Sequence, residues 1–178
     1  MIDIEVRKAS EEDLTLIHDM AQVVFRHTYK DILSSEQMEY MMDMMYSMPN
    51  LQIQINEGHH YYIAYMSEAP CGYVSVQYDG SDDDGVEVFH LHKIYVMPEA
   101  QGRGVGQQLF DKVVSHVRGA VSGKSARIEL NVNKYNKAVD FYKHLGMRIL
   151  LEEDFPIGNG FYKTDYIMGL DIDGAKKS

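Results

Sequence analysis

The residues with the clearest chemical potential form the run Gln101-Gly102-Arg103-Gly104-Val105-Gly106. It follows a strand-like segment, Glu87 to Val96, and opens a helix-like one, Gln107 to Arg118. Gly104 and Gly106 put no Cβ between the main chain and a ligand. The N–H groups of the helix start point at that ligand, with the positive end of the helix dipole behind them. Such a turn offers to bind phosphate. Two common phosphate loops are excluded by spacing. A P-loop needs Gly-Lys-Ser/Thr, but Gly106 is followed by Gln107 and Gln108. A dinucleotide fingerprint needs a glycine or alanine where this chain has Leu109 or Gln107, depending on which glycine pair starts the count.

A second group lies on the strand before the turn. His90 and His92 are two residues apart, so in a strand their rings share one face. Imidazole titrates near neutrality and accepts a proton directly or through water. The pair reads as a candidate general base; it also suits two strand histidines bonded to neighbours. No cysteine or third ligand lies close by in sequence, so no metal is expected. Tyr142 follows Phe141 in a later helix-like run. Its phenol is protonated at pH 7 and suited to donating to a developing anion, although an aromatic pair also suits a core.

These groups need elements to position them. Ile2 to Val6 alternates as a first strand. Ser10, followed by three acids, caps a helix running to about His27. Ser34 or Ser35 caps a second helix, to about Tyr46, which Pro49 ends. Tyr61–Met66 and Gly72–Tyr78 read as a hairpin turning near Glu68-Ala69-Pro70. Asp79 to Gly85 reads as a polar loop. Glu87–Val96 is the central strand. Arg127–Val132 is a strand, and Asn136–Leu145 a helix that Gly146 stops. Met147–Leu151 and Phe161–Met168 are the last strands, with a loop holding Pro156, Gly158 and Gly160 between them. The order βααβββαβαββ predicts an α/β (α+β) domain with about seven strands and four helices.

The chain has 178 residues, 45% apolar and 25% charged, which suits one soluble domain spanning 1–178, with a core of about 2–170 and a tail of 171–178. Its net charge of -10 argues against nucleic acid and mildly favours cationic partners. No apolar run is long enough to span a bilayer, and the N-terminus lacks the pattern of a signal peptide. Cys71 is the single cysteine, so no intrachain disulfide forms; a cytoplasmic location is the expectation.

The turn resembles the Gln/Arg-x-x-Gly-x-Gly/Ala pyrophosphate loop of the GNAT N-acetyltransferases. Ile94-Tyr95-Val96-Met97-Pro98-Glu99 is similar to the end of that family's central strand. Asn136 to Met147 resembles its Ala-Ile-x-Phe-Tyr-x-x-x-Gly-Phe segment. The element order also matches, over nearly the whole chain. His92 to Val96 further resembles small bacterial members near the polyamine acetyltransferases.

The resemblance implies acetyl-CoA as cosubstrate, bound by Gln101, Gly102, Arg103, Gly104, Val105 and Gly106 and by the backbone of Ile94, Tyr95 and Val96. It implies Tyr142 as the acid beside the thioester sulfur, also touching cofactor, and His90 or His92 as the base. The family's asparagine seven residues before the tyrosine is Tyr135 here, leaving Asn133 and Asn136 as candidates to contact CoA. Tyr29 and His90 are candidates for the acceptor wall. The implied acceptor is a primary amine such as a polyamine. A lysine or N-terminal protein amine is the alternative, as is an acyl-CoA-binding domain without turnover. The open edges of such a sheet invite pairing, so a homodimer is expected.

Overall fold

The computed structural model describes residues 3–173. The elements follow in the order β1 (Ile4–Lys8), α1 (Leu14–Tyr29), α2 (Ser35–Tyr46), α3 (Met48–Asn56), β2 (His60–Met66), β3 (Ala69–Ser81), β4 (Glu87–Val96), α4 (Val105–Val121), β5 (Ala126–Asn133), α5 (Ala138–His144), β6 (Arg148–Gly158) and β7 (Phe161–Ile172). The seven strands form one mixed sheet in the order β1-β2-β3-β4-β5-β7-β6. The described residues group into two compact units, the first reaching Gln77 and including Lys93–Val113, the second formed by Tyr78–His92 and the described residues from Val114 onward.

Capping explains most helix starts. The Ser34 hydroxyl accepts from Gln37 N at 3.1 Å, and Ser34 N donates to Gln37 Oε1 at 3.0 Å, a capping box that opens α2. Ser10 acts slightly earlier than the sequence suggests. Its N–H donates to the Asp13 carboxylate at 2.9 Å and opens a 3-10 turn, from which α1 continues. In α4, Val105, Leu109, Val113 and Val117, four residues apart, are all buried.

The structure corrects several expectations. Pro49 does not end a helix; it stands in the first turn of α3, where a missing N–H costs nothing, after Ser47 accepts from Asn50 N at 3.3 Å. Among the described residues the helices therefore number five, where the sequence suggests about four. The β2–β3 turn is Ser67-Glu68, both at positive φ (50° and 72°), so Ala69 and Pro70 belong to β3. Strand β3 also continues to Ser81, which shortens the polar loop; Asp82 Oδ1 accepts from Asp84 N and Val86 N, each at 2.9 Å, to hold that loop. The loop placed around Pro156 is strand. β6 runs through it to Gly158, and an edge strand tolerates a proline. β7 extends to Ile172, so Asp171 and Ile172 pair with β5 instead of belonging to a tail; residues 174–178 lie outside the described ones.

In the first unit, α1 and α2 bury Ile17, Ala21, Val24, Phe25, Met38, Met41 and Met42. The core there is unusually polar at one point. Lys93 of β4 is 4% exposed. Its Nζ donates to Met45 O (3.1 Å), Gln54 Oε1 (2.8 Å) and the Tyr61 hydroxyl (2.5 Å), and it lies 4.3 Å from the Tyr46 ring centroid. Three ammonium protons meet three acceptors, which join the end of α2 and the middle of α3 to β2 and β4. Among the described residues no carboxylate takes part. Burial therefore dominates and pushes the Lys93 amine down to about 7.

Gly72 of β3 allows a close approach in the same unit. A Cβ there would lie 2.7 Å from Tyr95 O and 3.3 Å from Leu109 Cδ1. Only glycine lets β4 and the start of α4 pack on β3 this tightly.

Two outcomes follow in thermal melts. Gly72→Ala should destabilise by about 1–3 kcal/mol, lowering the melting temperature by roughly 2–4 °C per kcal/mol. Gly119→Ala, in open space on α4, should instead stabilise by about 0.5–1 kcal/mol. For Lys93, the unfolded chain binds a proton that the folded chain lacks between pH 7 and the free-lysine range. Stability should therefore rise with pH across that window, by up to about 1.4 kcal/mol per pH unit. The Lys93→Met protein should lack that rise; identical pH profiles for the two proteins would contradict the assignment.

Candidate active site

In the first unit, β4 runs into the glycine turn through a short bridge. Met97 N donates to Cys71 O of β3 at 2.8 Å, and Pro98–Ala100 forms a 3-10 turn. Gln101 Nε2 then donates back to Val96 O at 3.2 Å, tying the start of the turn to the end of the strand. Gly102 and Gly104 take φ values of 77° and 86°, where side chains are strained. A Cβ built on either meets nothing within 4 Å, so backbone conformation demands these glycines while the space before them is open. Gly106 differs from expectation: it lies inside the first turn of α4. Gly104 O accepts from Gln108 N at 3.1 Å and so acts as the helix cap. The N–H groups of Val105, Gly106 and Gln107 have no acceptor within α4. Arg103 is exposed on the turn.

Ile94 is buried, and Tyr95 and Val96 are half-buried. The Tyr95 ring belongs to a cluster with Phe25, Tyr29 and Tyr73, at centroid distances of 6.5, 6.5 and 5.8 Å. Tyr29 is buried, and its hydroxyl lies 3.2 Å from that of Tyr95.

In the second unit, β4 and β5 pair in parallel from Glu87↔Ala126 to Leu91↔Leu130. β4 runs on to Val96 and β5 to Asn133 beyond that register. The structure brings the two histidines together: the rings of His90 and His92 are 4.5 Å apart. His90 stands opposite Glu129. Burial lowers its pKa, opposed by the carboxylates of Asp79 and Glu129 and aided by Lys163. His90 is thus held neutral at pH 7, the state a base requires.

Glu129 has a partner of its own, accepting from Arg127 Nε at 2.7 Å, while Arg127 Nη1 lies 3.0 Å from Asp82 Oδ2. These residues were missed in sequence, although the signal was there. β5 reads Arg127, Glu129, Asn131 and Asn133 at every second position, with Ile128, Leu130 and Val132 between. One face of that strand is polar.

Tyr142 lies on α5, buried, its ring 5.6 Å from that of Phe141. Its carbonyl accepts from Leu145 N (3.1 Å) and Met147 N (3.0 Å), closing the helix before Gly146 at φ 99°. Asn133 and Asn136 shape the approach to α5. Asn133 Oδ1 accepts from Tyr135 N at 3.0 Å, and Asn136 Oδ1 from Ala138 N at 2.8 Å. Both amide oxygens are thus engaged in local turns. Among the described residues, no group of three His, Cys, Asp or Glu is placed to hold a metal ion. No described helix is long and apolar enough to cross a membrane.

Comparison with known proteins identifies the fold. Over 90 residues the chain is 32% identical to an uncharacterized N-acetyltransferase of Methanocaldococcus jannaschii, covering 48% of this chain and 38% of that relative. Over 172 residues it is 24% identical to an uncharacterized N-acetyltransferase from the pepI 3' region of Lactobacillus delbrueckii subsp. lactis, covering 94% and 97% of the two chains. The solved PaiA N-acetyltransferase of Thermoplasma acidophilum, in complex with coenzyme A, shares the fold with a TM-score of 0.73 at 23% identity, covering 94% of this chain and 98% of that one. The acetyltransferase (GNAT) domain itself matches residues 22–166, so the chain belongs to the GNAT acetyltransferase family.

Proposed function

We propose that this protein is an acetyl-CoA-dependent N-acetyltransferase acting on a small primary amine such as a polyamine, by direct attack with both substrates bound. The observation that carries this reading is the glycine turn. It follows the central strand, uses two positive-φ glycines with open space before them, and delivers the N–H groups of the α4 start. That arrangement fits a pyrophosphate. Gln101 to Gly106 hold it, and the backbone of Ile94, Tyr95 and Val96, beyond the β5 register, takes the pantetheine arm. Asn133 and Asn136 flank the same cosubstrate. Bound acetyl-CoA supplies an activated thioester.

The chain's own residues do the proton work. His90, half-buried and neutral because desolvation lowers its pKa, takes a proton from the acceptor's ammonium directly or through water, with His92 beside it. The freed amine can then attack the acyl carbon. A backbone N–H of β4 donates to the acyl oxygen as it gains charge. Tyr142 gives its proton to the departing sulfur and regains one as the amide nitrogen is deprotonated. The Tyr29 hydroxyl, paired with that of Tyr95, lines the acceptor side. Cys71 supports direct attack over an acyl-enzyme. It is buried, and burial together with Glu99 pushes its thiol up, away from the thiolate a nucleophile needs.

Calorimetric titration tests the first half. Acetyl-CoA should bind with micromolar affinity, about -8 kcal/mol; no heat up to millimolar cosubstrate would sink the reading. Tyr142→Phe tests the second. It should lower kcat by about 10²-fold or more and leave acetyl-CoA affinity unchanged. A protein that only senses acyl-CoA would show no turnover for the substitution to lower.

A further inference from the structure

Three charged side chains of the second unit form a line that the proton steps above do not use. Arg127 and Glu129 stand two residues apart on β5 and so share a face. Arg127 Nε donates to Glu129 Oε2 at 2.7 Å, and its Nη1 donates to Asp82 Oδ2 at 3.0 Å. The other oxygen of Asp82 accepts from Asp84 N and Val86 N, each at 2.9 Å, so backbone fixes the outer end of the line. The side chains of Arg127, Glu129 and Asp82 are 19%, 22% and 26% exposed, which spares these pairs much of the screening that weakens surface ones.

Glu129 is also the residue opposite His90 in the parallel register. A carboxylate without a cation of its own in that position would draw a proton onto the imidazole, because a negative neighbour favours the charged form of histidine. The other charges around His90 come from the strands on either side. Asp79 of β3 acts in the same sense as Glu129, Lys163 of β7 acts against it, and His92 of β4 has its ring 4.5 Å away. Lys163 stands 2.9 Å from Asp165 Oδ2, so its charge is itself largely compensated. The balance at His90 therefore turns on how much of the Glu129 charge reaches the ring. Arg127 decides that. A guanidinium stays charged throughout the working pH range, so its hold on Glu129 does not lapse as the imidazole titrates.

We propose that Arg127 is a positioning residue for His90: by engaging the Glu129 carboxylate it withholds that charge from the ring and keeps His90 an unprotonated base near neutral pH. This role rests on the reading of His90 as the base and adds the group that controls it. Asp82 acts at one remove, drawing Arg127 the other way, so the three charges together set the field at the ring.

The test follows the His90 imidazole by NMR titration, its resonance assigned through His90→Gln. Arg127→Gln should raise the midpoint by roughly 0.5–1 pH unit, because the released carboxylate favours imidazolium. Glu129→Gln should lower it by a similar amount, because Arg127 then loses its counter-charge. The double variant should titrate close to the wild type. The acid limb of kcat/KM should move with each midpoint, up for Arg127→Gln and down for Glu129→Gln. An ion pair that only supports the fold would move both single variants in one direction or neither, and either result would overturn the role. Asp82→Asn keeps the Oδ1 acceptor of its loop and leaves Arg127 wholly to Glu129, so its midpoint should fall. If the β5 variants do not fold, an unmoved midpoint in Asp82→Asn overturns the role instead.

The midpoint is read from the ring itself, which separates this role from the wider reading. Opposite shifts of the midpoint without a matching move of the acid limb keep the charge line and remove His90 as the base. Amine acetylation with midpoints and acid limbs alike in all the proteins keeps the enzyme and removes the role of Arg127.

Discussion

A backbone amide that leaves its ladder inside a folded protein must find another partner, and β4 is built around that demand. Its register with β5 runs to Leu91↔Leu130, while the strand itself continues to Val96. On the β3 side the chain stays anchored: Met97 N reaches Cys71 O at 2.8 Å, and Gly72 lets Tyr95 O approach as no other residue would. Val96 O is taken by Gln101 Nε2. The strand is thus held firmly by one neighbour and by its own following turn, which fixes where the glycine turn and the first N–H groups of α4 stand. A pre-set donor array of this kind costs no reorganisation when a charged group arrives. This is the property that an anion-binding turn needs and that a mobile loop lacks.

Burial sets the protonation of the basic groups on that strand, and it does so despite an acidic protein with net charge -10. His90 has two carboxylates acting on it, yet desolvation prevails. A physical reason is at hand for one of them. Glu129 is already paired with Arg127 at 2.7 Å, so much of its charge is spent before it reaches the imidazole. Asp82 completes that chain from the other side of Arg127. Lys93 is the stronger case, because its three acceptors are neutral and none repays the cost of burying a charge. Both basic groups lean toward their neutral forms, but His90 stands on the polar face of its strand, where the proposed function draws on that neutrality.

Local rules were legible in the sequence where one element decides its own fate. A cap at Ser34 or Ser35, the strand at Arg127–Val132, the helix opening after the glycine turn and the stop at Gly146 each need only a few neighbours along the chain. The limits of β4 could be read for the same reason. Errors arose where a residue has two compatible roles and distant partners choose between them. Pro49 can follow a helix or begin one, and Ser47 in front of it decides for the second. Pro156 breaks a central strand but not an edge one, and only the sheet order shows that β6 is an edge. Ser67-Glu68 lacks the glycine that marks most two-residue hairpin turns, so the neighbouring Ala69-Pro70 drew attention instead. Among the candidate site residues, the glycine turn and the paired histidines stand out in sequence because their spacing is local. Asp165 is one acid among several in its stretch, and its burial depends on pairing with Asn133 and Glu153, which lie far from it in the chain.

The same contrast bears on mechanism. A covalent acyl-enzyme would need a nucleophile lowered toward its anion, by a helix N-terminus or a cationic neighbour. The one cysteine sits on the strand next to β4 and so is well placed by topology, yet its surroundings act the other way: burial and Glu99 both disfavour the thiolate. His90 and His92 instead suit removal of a proton from a cationic nucleophile that the protein does not itself supply. A neutral base near a polar strand face, a buried carboxylate further along it and a thiol kept protonated elsewhere form a consistent set. Each is poor equipment for covalent catalysis, and together they support the direct attack by an incoming amine proposed above.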